Sequence, residues 1–373
     1  MKTAHIICDR YFSLDGTNIT IGGMQTYFSN LSILLLNKGF DVCIYHIANI
    51  SFQKQYNNCK IFGFKYSGKK SNMPFFLFNE VKKNASLKDD LIIFGSEFWI
   101  VNNSGFRCVA IQHGIPWDVP CHTDYGSIRY WIYYVYKAYK GLNNIKKVHK
   151  VNTLVCVDYN YINWYRALVA FPKVKLTCIP NFSEIPSAQY CDKDNSAIRI
   201  IFARRLWEYR GTRIFCKAVE RILAEFPNVY VTIAGDGPDE KWMKDRLSKF
   251  DKVEFIRYSS EDSLLIHQNM DIAVVPTIGS EGTSLSILEA MAAKCAVICT
   301  DVGGLTNIIL DNYNGLIVPA GDCDALYLAI KKLIEEDELR MTISERGYQT
   351  VSCSFSLNKW QKSWSKIIDG LYK

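Results

Sequence analysis

The sequence predicts an α/β protein built from two doubly wound parallel sheets. Short β-branched runs such as "DIAVVPT" (271 to 277) stop at small or polar residues, as strands buried on both faces do. Segments with apolar residues three and four apart separate these runs. A polar, broken stretch, "EIPSAQYCDKDNSA" (184 to 197), divides the alternation into two series.

The first series opens with "AHIICD", a loop containing "TIGGMQ", a periodic stretch from Thr26 to Leu36, and "KGFDVCIYH". This is a strand, helix, strand unit with a helix stop at Lys38 and Gly39. "DDLIIFGS", "RCVAIQHG", "NTLVCVD" and "KLTCIPN" are further strands. Beyond the joint come "IRIIFARRL", a helix over 211–225, "NVYVTIAGDGPDE", a helix near 239–249, "KVEFIRY", a helix near 261–268, "MDIAVVPT", another helix and "CAVICTDVGG". Trp360, Trp364, Ile367, Ile368 and Leu371 share helical spacing, which predicts a last helix over 355–373 packing across the joint. The expected organisation is thus an N-terminal domain over 1–183, a linker over 184–197, a C-terminal domain over 198–354, and that helix.

With 373 residues the chain accommodates two cores, and 49% hydrophobic against 22% charged residues excludes a disordered chain. The formal charge of +7 favours anionic partners. Thirteen scattered cysteines without a C-x-x-C pair fit free thiols in a reducing cytosol. The start "MKTAHIICDRYFS" lacks a signal-peptide core and no run reaches 18 apolar residues, so a cytoplasmic protein is expected.

The stretch "SEGTSLSILEAMA" (280 to 292) carries the chemistry. Thr283 and Ser284 are N-cap types ahead of Leu285, Leu288 and Met291, so a helix begins here, after the strand 271–277. Its first free N–H groups and its dipole make a seat for phosphate. Glu281 falls in the loop and Glu289 about five residues into the helix, roughly 7 Å along its axis. Two carboxylates around a phosphate seat suit the hydroxyls flanking a diphosphate, the layout of a nucleotide sugar. A favourable charge at a helix start and a solvated helix residue would give the same pattern.

Other motifs carry two readings each. Arg204, Arg205 and Arg210 in "FARRLWEYRG" lie just past a strand end and suit phosphate oxygens, or form a solvated basic loop paired with Glu208 and Asp236. "GDGPDE" lacks the third glycine of a dinucleotide fingerprint, and Pro238 would sit in the first turn of the next helix. In "GDCD", Asp322 reads as an N-cap and Asp324 as a first-turn acid in preference to metal ligands. His113 follows a strand and precedes a glycine at a crevice edge, a place for a catalytic or a structural imidazole. Residues 126–150 interleave Tyr and Trp with one Arg and five Lys and contain no acid, which suits either an interfacial helix on anionic lipid or a helix with its aromatics in the core. No nucleic-acid module accompanies them.

Taken together, "EGTSLSILEAMA", Arg205 and Arg210 in "RLWEYRG", "IAGDGP", "VGGLTNIILDNYNG", "IPN" at 179–181 and "IGGMQ" resemble glycosyltransferase family 4, retaining enzymes of GT-B fold that use nucleotide sugars. The resemblance spans the C-terminal domain and thins toward the N-terminus. It implies two Rossmann-like domains facing across a cleft. It assigns Glu289 to the ribose hydroxyls, Glu281 and the segment Gly282, Thr283, Ser284 and Leu285 to the transferred sugar, and Arg205 and Arg210 to the diphosphate. Gly23 would let a loop approach the donor, and His113 would sit beside the sugar toward the acceptor. No metal or other cofactor is implied. The chain departs from the family pattern at Ser284, where a second glycine is common, and at Asn307, where an acid is common.

The resulting expectation is a UDP- or GDP-sugar donor and a saccharide acceptor, lipid-linked, in cell-surface polysaccharide assembly such as O-antigen or capsule, at the inner face of the cytoplasmic membrane, with no nucleic-acid partner. The alternatives are a nucleotide-sugar epimerase of the same fold and a non-catalytic protein that binds sugar nucleotides.

Overall fold

The computed structural model describes residues 2–20, 22–102, 105–115, 127–169, 173–186, 197–259, 262–279 and 281–373. Residues 187–196 of the expected linker, Ser280 of the glutamate motif, Ile21 of the "IGGMQ" loop and Gly126 of the basic aromatic segment lie outside the described residues. The chain forms two compact units, one from 1–113, 121–179 and 361–373, the other from 114–120 and 180–360.

The first unit contains β1 (Lys2–Ile7), α1 (Gly23–Asn37), β2 (Phe40–Ala48), β3 (Phe52–Tyr56), β4 (Cys59–Lys65), α2 (Met73–Lys82), β5 (Leu91–Phe94), β6 (Arg107–Gln112), α3 (Ile128–Val148), β7 (Thr153–Cys156), α4 (Tyr159–Leu168) and β8 (Lys175–Cys178). The strands align in the order β3-β4-β2-β1-β5-β6-β7-β8. All neighbours are parallel except β3 and β4, and Ile6 of β1 stands between Ile44 of β2 and Ile93 of β5. Ile6, Ile44 and Ile93 are fully buried, which is why these runs read as unbroken apolar stretches. Gly39 stops α1 with φ +80°.

The β3–β4 hairpin is absent from the expected elements. Its turn is Asn57-Asn58, with φ of 46° and 61°, the left-handed pair that a two-residue hairpin demands. β3, "FQKQY", is a polar edge strand with no apolar alternation to announce it.

The second unit contains β9 (Ile198–Ala203), α5 (Thr212–Glu225), β10 (Val229–Ala234), α6 (Glu240–Leu247), β11 (Val253–Ile256), α7 (Ser263–Gln268), β12 (Ile272–Val275), α8 (Leu285–Ala292), β13 (Ala296–Thr300), β14 (Leu316–Val318), α9 (Cys323–Glu335) and α10 (Asp337–Ser354). Its sheet runs β11-β10-β9-β12-β13-β14, parallel throughout. Alternate residues of β9 feed two core layers. Ile200 and Phe202 pack with Phe215 and Val219 of α5, while Ile201 and Ala203 join the layer of Ile287, Leu288 and Met291 of α8. α6 starts at Glu240, so Pro238 stands in the turn before the helix and not in its first turn.

The last helix, α11 (Leu357–Leu371), begins among residues of the second unit and ends among those of the first. Trp360 lies against Phe182, ring centroids 4.6 Å apart, in the second unit. Trp364 Nε1 donates to the Tyr27 hydroxyl at 2.8 Å in the first.

Candidate functional site

In the second sheet the chain order reverses between β9, whose successor β10 lies on one side, and β12, which lies on the other. Ligands of open α/β sheets bind outside the carboxyl ends of the strands at such a switch point. Here the strand-end loops converge closely. Gly211 has φ +87°, and a Cβ there would collide with the Pro276 carbonyl oxygen that follows β12. Gly303, with φ +52°, likewise leaves no room for a Cβ beside the Glu281 carbonyl. Asn181 Nδ2 donates to the Thr283 carbonyl at 2.7 Å and fixes the loop ahead of α8.

Glu281 is the centre of this arrangement. Its Oε2 accepts from Arg204 Nη2 at 2.7 Å and from Arg210 Nη1, with Thr277 Oγ1 at 3.4 Å. Arg204 is 7% exposed, and its Nη1 donates to Thr277 Oγ1. Burial by itself would raise the Glu281 carboxyl, but the two guanidinium charges outweigh it and hold it below its usual range. The carboxylate is ionised and shared by two cations.

Arg204 takes the inner position against Glu281, while Arg205, which the resemblance assigns to the diphosphate with Arg210, is exposed on the same loop. Successive side chains at a strand end point to opposite sides, so a shift of one residue decides which arginine faces the loop. Glu208 and Asp236, the partners of the solvated-loop reading, do not take Arg204 and Arg210; Glu281 does.

Ser284 occupies the N-cap position of α8 with extended backbone and makes no side-chain cap, so its hydroxyl leaves the first-turn amides uncovered. Glu289 is the fifth residue of the helix. Burial raises its carboxyl, and Ser263 Oγ, donating to Oε2 at 2.6 Å, opposes that rise. Ser263 and Thr277 are supporting residues that sequence reasoning did not name, and Arg204 was named for phosphate and not for Glu281; the "VVPT" strand end was the available signal for Thr277. "DCD" is engaged as helix-start chemistry: Asp322 accepts from the Ala325 amide at 2.9 Å, and Asp324 pairs with Arg221.

In the first unit, Gly23 is the first residue of α1. His113 follows β6; its Nε2–H donates to the Gly95 carbonyl at 3.0 Å, and Tyr27 and Phe28 meet its ring edge-on. Burial lowers its pKa to about 4, with the Gly95 bond opposing, so the imidazole is neutral with Nδ1 as an acceptor.

Comparison with known proteins bears on this set of residues. Residues 191–350 match the family described as Glycosyl transferases group 1. The match takes in 160 of the 373 residues, and over that segment the chain is similar to the group 1 glycosyl transferases. The chain is 25% identical over 154 residues to phosphatidyl-myo-inositol mannosyltransferase of Mycolicibacterium smegmatis, 41% of this chain and 40% of the relative. It is 28% identical over 166 residues to the capsular polysaccharide biosynthesis glycosyltransferase CapM of Staphylococcus aureus, 43% of each. The chain thus spans less than half the length of these curated relatives. Among solved structures, sucrose-phosphate synthase from Thermosynechococcus elongatus superposes with TM-score 0.78 at 15% identity, covering 100% of this chain and 99% of that one. Anabaena HepE in complex with UDP gives 0.72 at 14%, covering 99% and 100%. These likenesses show a GT-B fold.

Proposed function

We propose that the protein is a retaining, metal-independent glycosyltransferase that moves a sugar from a UDP- or GDP-sugar to a saccharide acceptor, lipid-linked, in the assembly of a cell-surface polysaccharide or glycolipid. One observation carries this reading: a carboxylate held by two guanidinium groups at the switch point of the second sheet, beside the uncapped start of α8. Arg205, Arg210 and the α8 dipole stabilise the charge that grows on the departing nucleoside diphosphate, without a metal. Glu289 accepts from the ribose hydroxyls, and Glu281 orients the transferred sugar with the segment from Gly282 to Leu285. His113, neutral, supplies an acceptor atom and not a charge. The relatives named for mannosyl transfer and capsule assembly support the acceptor class, and placement at the inner face of the membrane follows from a lipid-linked acceptor.

The test is a donor panel incubated with the purified protein and a cell lipid extract in the presence of EDTA, with products read by mass spectrometry. Transfer with the anomeric configuration kept is the expected result. An altered sugar without transfer would identify an epimerase, and binding without turnover a sugar-nucleotide sensor. Loss of transfer in EDTA, restored by magnesium or manganese, would reverse the metal assignment. Arg210→Ala should lower turnover more than donor affinity, because its contact strengthens as the leaving group gains charge.

A further inference from the structure

We infer that α3 docks the protein on an anionic lipid membrane, lying along the surface with one line of apolar side chains inserted. The inference extends the lipid-linked acceptor reading but stands on separate residues. The inner face of α3 is marked by half-buried Tyr130, Tyr133 and Lys137 and buried Gly141, Asn144 and Val148, spaced three and four apart. A helix on the surface of a globular protein carries polar residues on the opposite side. Here that side carries Ile128, Trp131, Ile132, Val135, Tyr139 and Leu142, each more than half exposed. At 1.5 Å per residue the line is roughly 21 Å long. The helix therefore turns one face to its own unit and carries, opposite it, an apolar line that the described residues leave exposed.

Charge selects the occupant. From Ser127 to Lys150 there is no acid, while Arg129 and Lys140 flank the line and Lys146 and Lys150 continue it, all exposed. A second copy would bring like charges together across the contact. An anionic lipid surface offers apolar depth and negative charge in one place, and Trp131, Tyr134, Tyr136 and Tyr139 are the residue types that settle at headgroup level. Among the described residues no helix is long and apolar enough to cross a membrane, so α3 lies along the surface.

The experiment is co-sedimentation of the full chain with vesicles of phosphatidylcholine alone and of phosphatidylcholine with phosphatidylglycerol, at low and high salt, with no donor or acceptor present. The parent should sediment with the mixed vesicles at low salt, release at high salt, and stay in solution with the neutral ones. Replacing Lys140, Lys146 and Lys150 together with Gln should lower partitioning on the order of 100-fold, from the loss of three surface cations. Replacing Trp131, Val135 and Leu142 with Ser should abolish sedimentation even at low salt. Circular dichroism identical to the parent's establishes that both variants are folded. A parent that ignores both vesicles, or variants that sediment as the parent does, would overturn the proposal. So would a dimer in sedimentation velocity that the Ser variant dissociates, because the second copy would then own the stripe. Vesicle binding by a protein that transfers no sugar would leave the docking surface standing and remove the transferase reading.

Discussion

The two sheets have their switch points in the same place topologically and arm them with opposite charge. Between β1 and β5 in the first unit, Asp9 and Glu97 follow the strand ends, and Trp99 Nε1 donates to Asp9 at 3.0 Å. Between β9 and β12 in the second, Arg204 and Arg210 close on Glu281. The winding supplies a crevice in both cases, and the first few residues beyond the strands decide its chemistry. Carboxyl groups pair with hydroxyls, and guanidinium groups suit phosphate.

The largest effect that would sharpen this contrast is on stability. Glu281→Ala leaves the buried Arg204 charge unpaired and should lower the unfolding free energy by about 3–5 kcal/mol in urea denaturation. Arg204→Met combined with Glu281→Leu should recover most of that, since both charges then leave together. Asp9→Asn, which strands no buried cation, should cost far less; equal losses at the two edges would erase the distinction.

Next in size is nucleotide binding. Glu289→Gln replaces a charged acceptor and should weaken UDP or GDP binding by on the order of 1.5–3 kcal/mol in calorimetry. Glu97→Gln, at the other switch point, should leave that affinity unchanged. Should Glu97→Gln weaken the nucleotide as much as Glu289→Gln does, the assignment of donor to the second unit is wrong.

The first edge also has a pH signature. Burial, with Asp9 adding to it and Lys147 opposing, raises the Glu97 carboxyl from 4.5 to about 7. A carboxyl raised in the folded state contributes stability that is complete below pH 4.5 and is lost as pH rises toward about 7. The Glu97 contribution should therefore fall with rising pH across that window, read as the difference between the stability profiles of the parent and Glu97→Gln, which cancels the opposite contribution of His113 and the other buried histidines. Histidine resonances should show His113 uncharged well below the ordinary imidazole range, since its value lies at about 4.

The smallest effects belong to acids away from either edge. Asp322→Ala should cost about 1 kcal/mol as a lost helix cap. Asp324→Ala, a surface partner of Arg221, should change neither stability nor turnover measurably.

Most of the strand and helix alternation was legible because buried parallel strands are apolar on both faces, as Ile6, Ile200 and Ile201 are. The β3–β4 hairpin escaped because its outer strand is polar and its turn signal is two asparagines. At the site, Glu281 and Glu289 could be placed by spacing along a loop and a helix. Which arginine meets Glu281 could not, because that depends on where the pleat of β9 stops. Nor could the sequence say which aromatics of α3 turn inward: Tyr133 and Tyr139 are chemically alike, and only the packing of the unit separates them.

The bond from Trp364 to Tyr27 joins residues 337 apart, with the whole of the second unit made in between. At ribosomal rates of about 5–20 residues per second, that interval is on the order of half a minute. Throughout it, the nascent first unit lacks the indole that covers Tyr27 and the helix that closes its core. The first unit to be synthesised is thus the second to be completed, and a chain halted once residue 360 has left the ribosome would present a finished second unit with an unfinished first. Chaperone demand during synthesis should fall on the residues around Tyr27 and ease only when α11 emerges.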